Sequence, residues 1–292
     1  MTAPVLQLPR HISHSSREAL ERCALQYFLT RVANAPQTPA LWLAGGSAVH
    51  ETTEDYDLLA FADMAEDFDA GEVWNLVFDQ QLHEAREREK DERKWRSSQT
   101  EPIEVWRRMG LNFVQAYIDW RERSPWEIWT TPDGEPAIEL DVSGKLPGCE
   151  VEIKAFLDRV FWDPVLKRLI IVDLKTSKKP PKNADQFGTY GALLKAKYGV
   201  DAALGVPFMN RRASLGTPFD LSAYTPEFVG EVFGKAWQQI KGYMAAGKFP
   251  ADTSDCFLCD VKTSCHAQGG PLAHLYDPAS PGYPARSDAS RL

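Results

Sequence analysis

The stretch "IIVDLKTSKKP", residues 170–180, has the composition of a buried strand and yet carries charge. Isoleucine, valine and leucine dominate its first half, as in strands that are covered on both faces. Asp173 and Lys175 nevertheless stand two positions apart within it. Burying a charged side chain costs several kcal/mol unless the charge is paired or bound to a metal. The stretch therefore predicts a buried strand whose charges belong to a site.

A preceding run of strand-forming residues brings a second carboxylate to this strand. Only the short link "DPVLK" separates "CEVEIKAFLDRVFW", residues 149–162, from the strand, so the two runs predict an antiparallel hairpin. A turn centred on that link places Asp158 opposite Asp173, with Cβ atoms about 5 Å apart. Lys175 points to the same face, because strand side chains alternate between faces. Like charges this close repel, so the two carboxylates require a cation.

Two carboxylates and a lysine that converge on one point indicate a site for a hard divalent cation, Mg²⁺ or Mn²⁺, bound by oxygen ligands. The lysine is then free to orient water or to stabilise a charged phosphate. This combination favours phosphodiester hydrolysis. The alternative is an ordinary ion pair between Asp173 and Lys175 at the end of the strand, where the turn "TSKKPP" begins.

Composition limits the kind of protein this chain can be. It has 292 residues, 43% of them apolar, which is enough for a sizeable core. It contains no apolar stretch of membrane-spanning length, and its first residues lack the apolar centre of a signal peptide, so we expect a cytoplasmic protein without membrane contact. The net charge of -8 argues against nonspecific coating of nucleic acid but permits a local basic groove.

Such a groove is predicted beside the charged strand, where Lys178, Lys179 and Lys182 follow Lys175. Lysines placed there can neutralise DNA phosphates. The alternative for each of them is a solvated loop position. Some of the aromatic residues could also stack on single-stranded bases, although most are explained more simply as core.

The first half of the chain reads as helical. A helix is predicted over residues 13–33, and "LWLAGGSAVHETTEDY", residues 41–56, predicts a Gly-Ser turn leading into a helix with His50 in its first turns. A histidine at a surface helix start is the alternative reading of His50. Residues 64–123 are helical in pattern and highly charged, which predicts a helical insertion.

The second half reads as a sheet followed by helices. Strands are predicted from "WEIWTT" through "AIELDVSG" to the charged strand, a further strand near "AALGVPFM", and helices over residues 182–199 and 226–247. Asn183 is the expected cap of the first of these helices and Gly199 its end. The expected architecture is α/β, with a mixed sheet flanked by helices in one domain over residues 1–269 and a poorly ordered tail over residues 270–292.

Three of the five cysteines lie close together near the C-terminus. Cys256, Cys259 and Cys265 have the spacing C-x2-C-x5-C, which is one thiolate short of a four-coordinate metal site. Four thiolates suit zinc or an iron-sulfur cluster, and the spacing does not separate the two. Three free thiols remain an alternative, as does zinc bound with His266 as an added ligand. Cys149, between a turn and a strand, is expected to be a lone structural thiol.

Together these pieces resemble the PD-(D/E)XK nucleases, in particular the RecB-like branch that includes the CRISPR-associated exonucleases and the AddB nuclease domain. Six segments match in family order between about residue 13 and residue 266: "HSSREALERCALQYFL", "GGSAVHE", "EIKAFLDRV", "IIVDLKTSK", "QFGTY" and the C-terminal cysteines. Two departures concern the local backbone. Ala155 stands where the family usually has Gly, and Ala24 where it often has Pro.

The resemblance implies a restriction-endonuclease-like core with the following roles. His50, Asp158 and Asp173 would be metal ligands, and Lys175 the catalytic lysine. Gln186 and Tyr190 match the family's Q-x3-Y motif, whose two residues share one helix face. Glu139 would be a further acidic residue at the site, by a looser match. Cys23 would join Cys256, Cys259 and Cys265 in binding a [4Fe-4S] cluster that ties the two ends of the domain together.

The expected function is metal-dependent hydrolysis of DNA by an exonuclease acting on single strands or ends, in recombination, repair or DNA processing. An alternative is a nuclease-like DNA-binding adaptor in a recombination or CRISPR-adaptation complex. ATP binding is not expected, because "GYMAAGK", residues 242–248, has the spacing of a phosphate-binding loop but is followed by Phe249 instead of Ser or Thr. Any unwinding of DNA would therefore come from a partner such as a helicase.

Overall fold

The computed structural model describes residues 7–96 and 100–283. The principal helices in these ranges are α1 (His14–Arg22), α2 (Ala24–Tyr27), α3 (Leu41–Phe61), α4 (Ala70–Arg88), α5 (Ile103–Arg123), α6 (Asp185–Tyr198), α7 (Pro226–Ala246) and α8 (Ala273–Tyr276). The strands are β1 (His11–Ser13), β2 (Glu127–Ile128), β3 (Ile138–Asp141), β4 (Glu152–Lys154), β5 (Phe156–Asp163), β6 (Arg168–Lys175), β7 (Ala202–Met209), β8 (Ser214–Leu215) and β9 (Phe219–Asp220). None of the helices within these ranges is long and apolar enough to cross a bilayer.

A mixed sheet of seven strands lies at the centre, in the order β2-β5-β6-β7-β8, with β3 also paired to β5 and β9 to β7. The pair β6 and β7 is parallel and the other pairs of this sheet are antiparallel. A separate parallel pair joins β1 to β4. The predicted α/β class with a mixed sheet flanked by helices is therefore confirmed.

The hairpin of β5 and β6 has the predicted register. Arg159 is opposite Val172, and the ladder continues to the pair Asp163 and Arg168 at the turn. Continued by one residue, the same register brings Asp158 beside Asp173. The register follows from the short link and from the apolar residues on both faces of the two strands, because a slip of one residue would turn every side chain to the other face.

The two faces of the sheet belong to two cores. Ile170 and Val172 of β6 pack with helices α3, α4 and α5. Ile171 packs on the opposite face with residues of α1, α6 and α7. Asp173 follows the alternation of Ile171 and so points toward α6. The strand therefore directs the charged residues to one helical layer and fills the other with apolar side chains.

The predicted Gly-Ser turn before His50 is wrong. Helix α3 runs without interruption from Leu41 to Phe61, and His50 lies in its middle. Gly45 has a packing role instead, because a Cβ at this position would stand 2.2 Å from the ring of Trp106 on α5. The helical pattern expected over residues 64–123 is present in α4 and α5, which pack against α3.

The N-terminal helix is divided, since Cys23 is extended and separates α1 from α2. Further along, α6 ends at Gly199 in the left-handed region, as predicted. The segment "GYMAA" belongs to α7, so this stretch is helix and not a phosphate-binding loop.

The chain is packed beyond the predicted domain end at residue 269. Residues 270–283 include α8, and the fully buried carboxylate of Asp277 accepts hydrogen bonds from the backbone N–H groups of His266 and Ala279. A buried, hydrogen-bonded carboxylate thus joins residues 270–283 to the cysteine segment, and the poorly ordered tail stays a prediction. Residues 284–292 of that prediction lie outside the described ranges.

Candidate active site

Three potential metal ligands meet where α3, β3 and β5 approach one another. One ligand atom from each of His50, Glu139 and Asp158 lies within 4.8 Å of the other two. The side chains come from elements far apart in sequence, so only the folded chain assembles them. In the part of the chain that the structure describes, this is the one such group of histidine, cysteine and acidic residues.

Glu139 reaches this group through an unusual backbone conformation. Its φ is 45°, in the left-handed region, although its neighbours Ile138 and Leu140 pair regularly with β5. A non-glycine residue held there costs about 1–3 kcal/mol, and such residues cluster at functional sites. The conformation leaves the Glu139 carboxylate close to Asp158 within the ligand group.

Asp158 is held in place by its neighbours on both sides. Its Oδ2 accepts a hydrogen bond of 2.7 Å from the backbone N–H of Leu174 and lies 3.2 Å from Nδ1 of His50. Burial acts to raise the pKa of Asp158, but His50 and the Leu174 N–H outweigh it and lower that pKa to about 2. The carboxylate is therefore ionised and oriented.

His50 is fixed at both ring nitrogens. Its Nε2 lies 3.0 Å from the carbonyl oxygen of Leu174, which accepts the N–H, and its Nδ1 faces Asp158. The Leu174 carbonyl thus borders the ligand group and offers a further oxygen for a cation. That backbone atom could not be recognised from residue types alone.

Asp173 lies behind this group and is only 2% exposed. Its Oδ1 accepts a hydrogen bond of 3.0 Å from Nε2 of Gln186, and its Oδ2 contacts the ammonium group of Lys175. Burial raises the pKa of Asp173, and Lys175 opposes this. The structure thus brings Asp173 and Lys175 together as a pair next to the three-residue group.

Gln186 connects the lysine, the aspartate and the tyrosine. Its Oε1 accepts a hydrogen bond of 2.8 Å from Lys175, while its amide also donates to the Tyr190 hydroxyl at 2.8 Å. Because Gln186 and Tyr190 are four residues apart on α6, they lie on one helix face. Burial raises the pKa of Tyr190, so its hydroxyl stays protonated. Gln186 therefore sets the direction of the Lys175 ammonium group.

The ligand group holds more negative charge than its surroundings balance. Burial and Asp158 raise the pKa of Glu139 to about 7. For His50, burial acts to lower the pKa, but Asp158, Asp173 and Glu139 raise it to about 9. Both side chains therefore hold their protons to a higher pH than they would in water. Hard carboxylate oxygens with one imidazole fit a divalent cation such as Mg²⁺ or Mn²⁺ there.

A buried ion network supports the group from the other face of the sheet, and the sequence did not indicate it. Asp57 on α3 is fully buried and accepts hydrogen bonds from Tyr117, Arg121 and Arg159. Arg159 also donates to the carbonyl oxygen of Asp158 and lies 3.6 Å from Glu139. Arg159 is therefore a positioning residue for both acidic ligands.

A cleft of about 1060 Å³ opens onto the ligand group, with His50 and Glu139 in its lining. Lys178 lines the same cleft and forms an ion pair of 2.8 Å with Glu101. Lys179 and Lys182 are exposed in the structure, but neither is among the residues that line the cleft. Of the three lysines predicted to bind DNA, Lys178 is thus the one that the fold places at the cleft.

The four predicted cluster cysteines line a second, separate cavity. Cys23 lies between α1 and α2, and its sulfur accepts backbone hydrogen bonds of 3.4 Å from Gln26 and Asp252. The segment around Cys23 and the segment that carries the three C-terminal cysteines therefore meet at this cavity. Cys149 is buried elsewhere. The other residues that line the cavity with Cys23 include Cys256, Cys259 and Cys265.

The mixed sheet with this ligand group is the arrangement of a known nuclease family. The sequence profile of the PD-(D/E)XK nuclease superfamily matches residues 11–266, which contain every residue of the site. The chain belongs to this superfamily and is a metal-dependent nuclease. Its mixed sheet with flanking helices fits the restriction-endonuclease-like core.

Two proteins of mycobacterial phages are similar to the chain over most of their length. The Gene 69 protein of Mycobacterium phage D29 is 30% identical over 262 residues, which cover 84% of this chain and 92% of the relative. The Gene 69 protein of Mycobacterium phage L5 is 28% identical over 276 residues, with the same coverage of both chains.

Proposed function

We propose that the chain is a DNA exonuclease of the RecB-like branch that hydrolyses phosphodiester bonds at single strands or DNA ends. The observation that supports this most directly is the group of His50, Glu139 and Asp158 beside the pair of Asp173 and Lys175. A metal-ligand group with a lysine next to it suits attack on a phosphodiester, where negative charge grows on the phosphate.

The roles follow from position. His50, Glu139 and Asp158 would hold a divalent cation, with Asp173 close by, and a cation bound there would polarise the phosphate and lower the pKa of a water molecule. Lys175 stays protonated, because Asp173 outweighs burial and raises its pKa. Its ammonium group can therefore stabilise phosphate charge or orient the attacking water, in the direction that Gln186 sets.

The experiment that tests this function uses end-labelled single-stranded and blunt double-stranded DNA with Mn²⁺ or with chelator. We expect shortening from one end that requires the metal and is lost in Asp173→Asn. A matched control is Asp163→Asn, which changes a buried carboxylate of the same hairpin that caps the turn by accepting two backbone hydrogen bonds. DNA binding without metal-dependent cleavage by the unmodified protein would instead favour the adaptor alternative.

We also propose that Cys23, Cys256, Cys259 and Cys265 bind a [4Fe-4S] cluster. They line one cavity, and N–H donors already point at the sulfur of Cys23, as they do around a thiolate ligand. Four thiolates around one cavity suit an iron-sulfur cluster as well as zinc, and the resemblance to the RecB-like branch favours the cluster.

The cluster proposal is tested by anaerobic purification with iron and sulfide analysis. We expect a brown protein with about four iron atoms per chain, as a four-thiolate cluster requires. Cys23→Ser should bleach it as fully as Cys259→Ser, whereas Cys149→Ser should keep the colour. A colourless protein with one zinc ion would show that the four cysteines bind zinc and not a cluster. A protein without metal would overturn both assignments.

A further inference from the structure

One face of α3 lines the cleft from end to end, and its chemistry changes along the helix. Leu43, Ser47 and His50 lie at spacings of four and three residues, so they share this face. Glu51 and Glu54 continue the same face beyond His50. The cleft is thus apolar at one end, holds the metal-ligand group in the middle and is acidic at the other end.

The apolar end contains large side chains whose exposure is not explained by folding. Leu43 is 56% exposed and Leu258, from the loop between two cysteines, is 54% exposed. Trp42 is half-buried beside them, and all three line the cleft. Exposed apolar side chains that converge in a cleft mark a binding surface.

Arg96 holds the two sides of this apolar end together. Its Nη1 donates a hydrogen bond of 2.7 Å to the carbonyl oxygen of Leu258, and its guanidinium lies 5.4 Å from the ring centre of Trp42. The contact fixes Trp42 against the cysteine loop. A rigid aromatic surface binds a flat ligand at a lower entropic cost than a mobile one.

Charge in the same cleft indicates where a phosphate backbone can run. Arg211 and Lys178 line it and both pair with the carboxylate of Glu101. Glu51 and Glu54 repel phosphate at the opposite end. Since seven residues of helix span about 10 Å, a strand with one phosphate at His50 has its neighbouring bases beside Leu43.

We propose that Trp42, Leu43 and Leu258 form a base-stacking wall that selects single-stranded DNA. This inference rests on the proposed nuclease function and names the substrate form for its site. Bases of a single strand expose their flat faces to aromatic and apolar side chains, whereas bases in a duplex are stacked on one another. The wall therefore binds a frayed or single-stranded end and leaves an intact duplex outside.

The test measures DNA binding apart from cleavage. Every variant is made in an Asp173→Asn background, and fluorescence anisotropy follows a labelled oligo(dT) strand and a labelled blunt hairpin duplex. Loss of one base–aromatic stack weakens binding about 5- to 150-fold. We expect Trp42→Ala to weaken oligo(dT) binding within that range, Leu43→Ser to weaken it less, and Trp42→Phe to keep most of it. Duplex binding should change less than about twofold.

The control is Leu76→Ser, which changes an exposed leucine on α4 that does not line the cleft. It should leave oligo(dT) binding unchanged. The wall would be overturned if Trp42→Ala and Leu43→Ser bound oligo(dT) as tightly as the Asp173→Asn parent. It would also be overturned if these variants lost duplex binding by the same factor as oligo(dT) binding. Metal-dependent cleavage by the unmodified protein is scored separately, so a failure of the proposed function is distinguishable from a failure of the wall.

Discussion

Protons and a divalent cation compete for the same ligand atoms, so metal affinity should rise steeply with pH. Burial and Asp158 raise the pKa of Glu139 to about 7, and the surrounding carboxylates outweigh burial and raise the pKa of His50 to about 9. A ligand must lose its proton before it binds a metal. Below pH 7 both groups therefore carry a proton that the cation has to displace.

The size of the effect follows from the number of protons displaced. Each one changes the apparent dissociation constant about tenfold per pH unit. Two protons give an affinity that rises about 100-fold per unit below pH 7, and one proton gives about tenfold per unit between pH 7 and pH 9. Titration of Mn²⁺ followed by electron paramagnetic resonance of the free ion, from about pH 5.5 to 8.5, measures both slopes.

The variant Glu139→Gln separates the contributions of Glu139 and His50 to the pH dependence of metal affinity. It should lower the affinity and leave a single slope of about tenfold per unit across the whole range, because only the His50 proton remains to be displaced. Glu87→Gln changes an exposed carboxylate of α4 whose partner is His83, and it should keep both slopes. An affinity that changes less than about twofold between pH 5.5 and 6.5 in the unmodified protein would refute the assignment of these two groups as ligands.

Three further predictions concern single side chains. His50→Ala should reduce the cleavage rate in Mg²⁺ by about tenfold or more and should be partly rescued by Mn²⁺, which binds nitrogen and oxygen sites more tightly. If the variant cleaves as fast as the parent in each of the two metals, His50 is not a ligand. Asp57→Ala should lower the free energy of unfolding by about 3–5 kcal/mol, because the buried Arg159 loses its hydrogen-bonded carboxylate and keeps only the more distant one of Glu139; an unchanged urea midpoint would contradict this. Gln186→Ala should slow cleavage more than Tyr190→Phe, since only the former releases Lys175. Single-turnover rates at saturating Mn²⁺ measure this order, and the reverse order would contradict the role of Gln186.

The parts of the fold that were predictable are those fixed by local pattern. A short link between two apolar runs sets the register of β5 and β6, and this register alone brings Asp158 beside Asp173. Gln186 and Tyr190 share a helix face because they are four residues apart. In each case the spacing in sequence determines the geometry directly.

The parts that were missed depend on contacts between distant segments. Glycine predicts a turn from its own conformational freedom, but in α3 the ring of Trp106 requires the absence of a side chain at Gly45, and the helix continues. The left-handed backbone of Glu139 and the ion network around Asp57 depend equally on tertiary packing. No local pattern in the sequence reports such requirements.

The arrangement of charge explains why a folded chain keeps so many carboxylates close together. Each buried acid has a basic group on its far side: Arg159 lies behind Glu139 and Asp158, and Lys175 contacts Asp173. These partners hold the acids in place, while burial and the nearby Asp158 raise the pKa of Glu139. The negative charge of the group is what a divalent cation balances, so the repulsion between the carboxylates falls when a cation is bound. Because only the folded chain assembles these ligands, binding of the cation stabilises the fold.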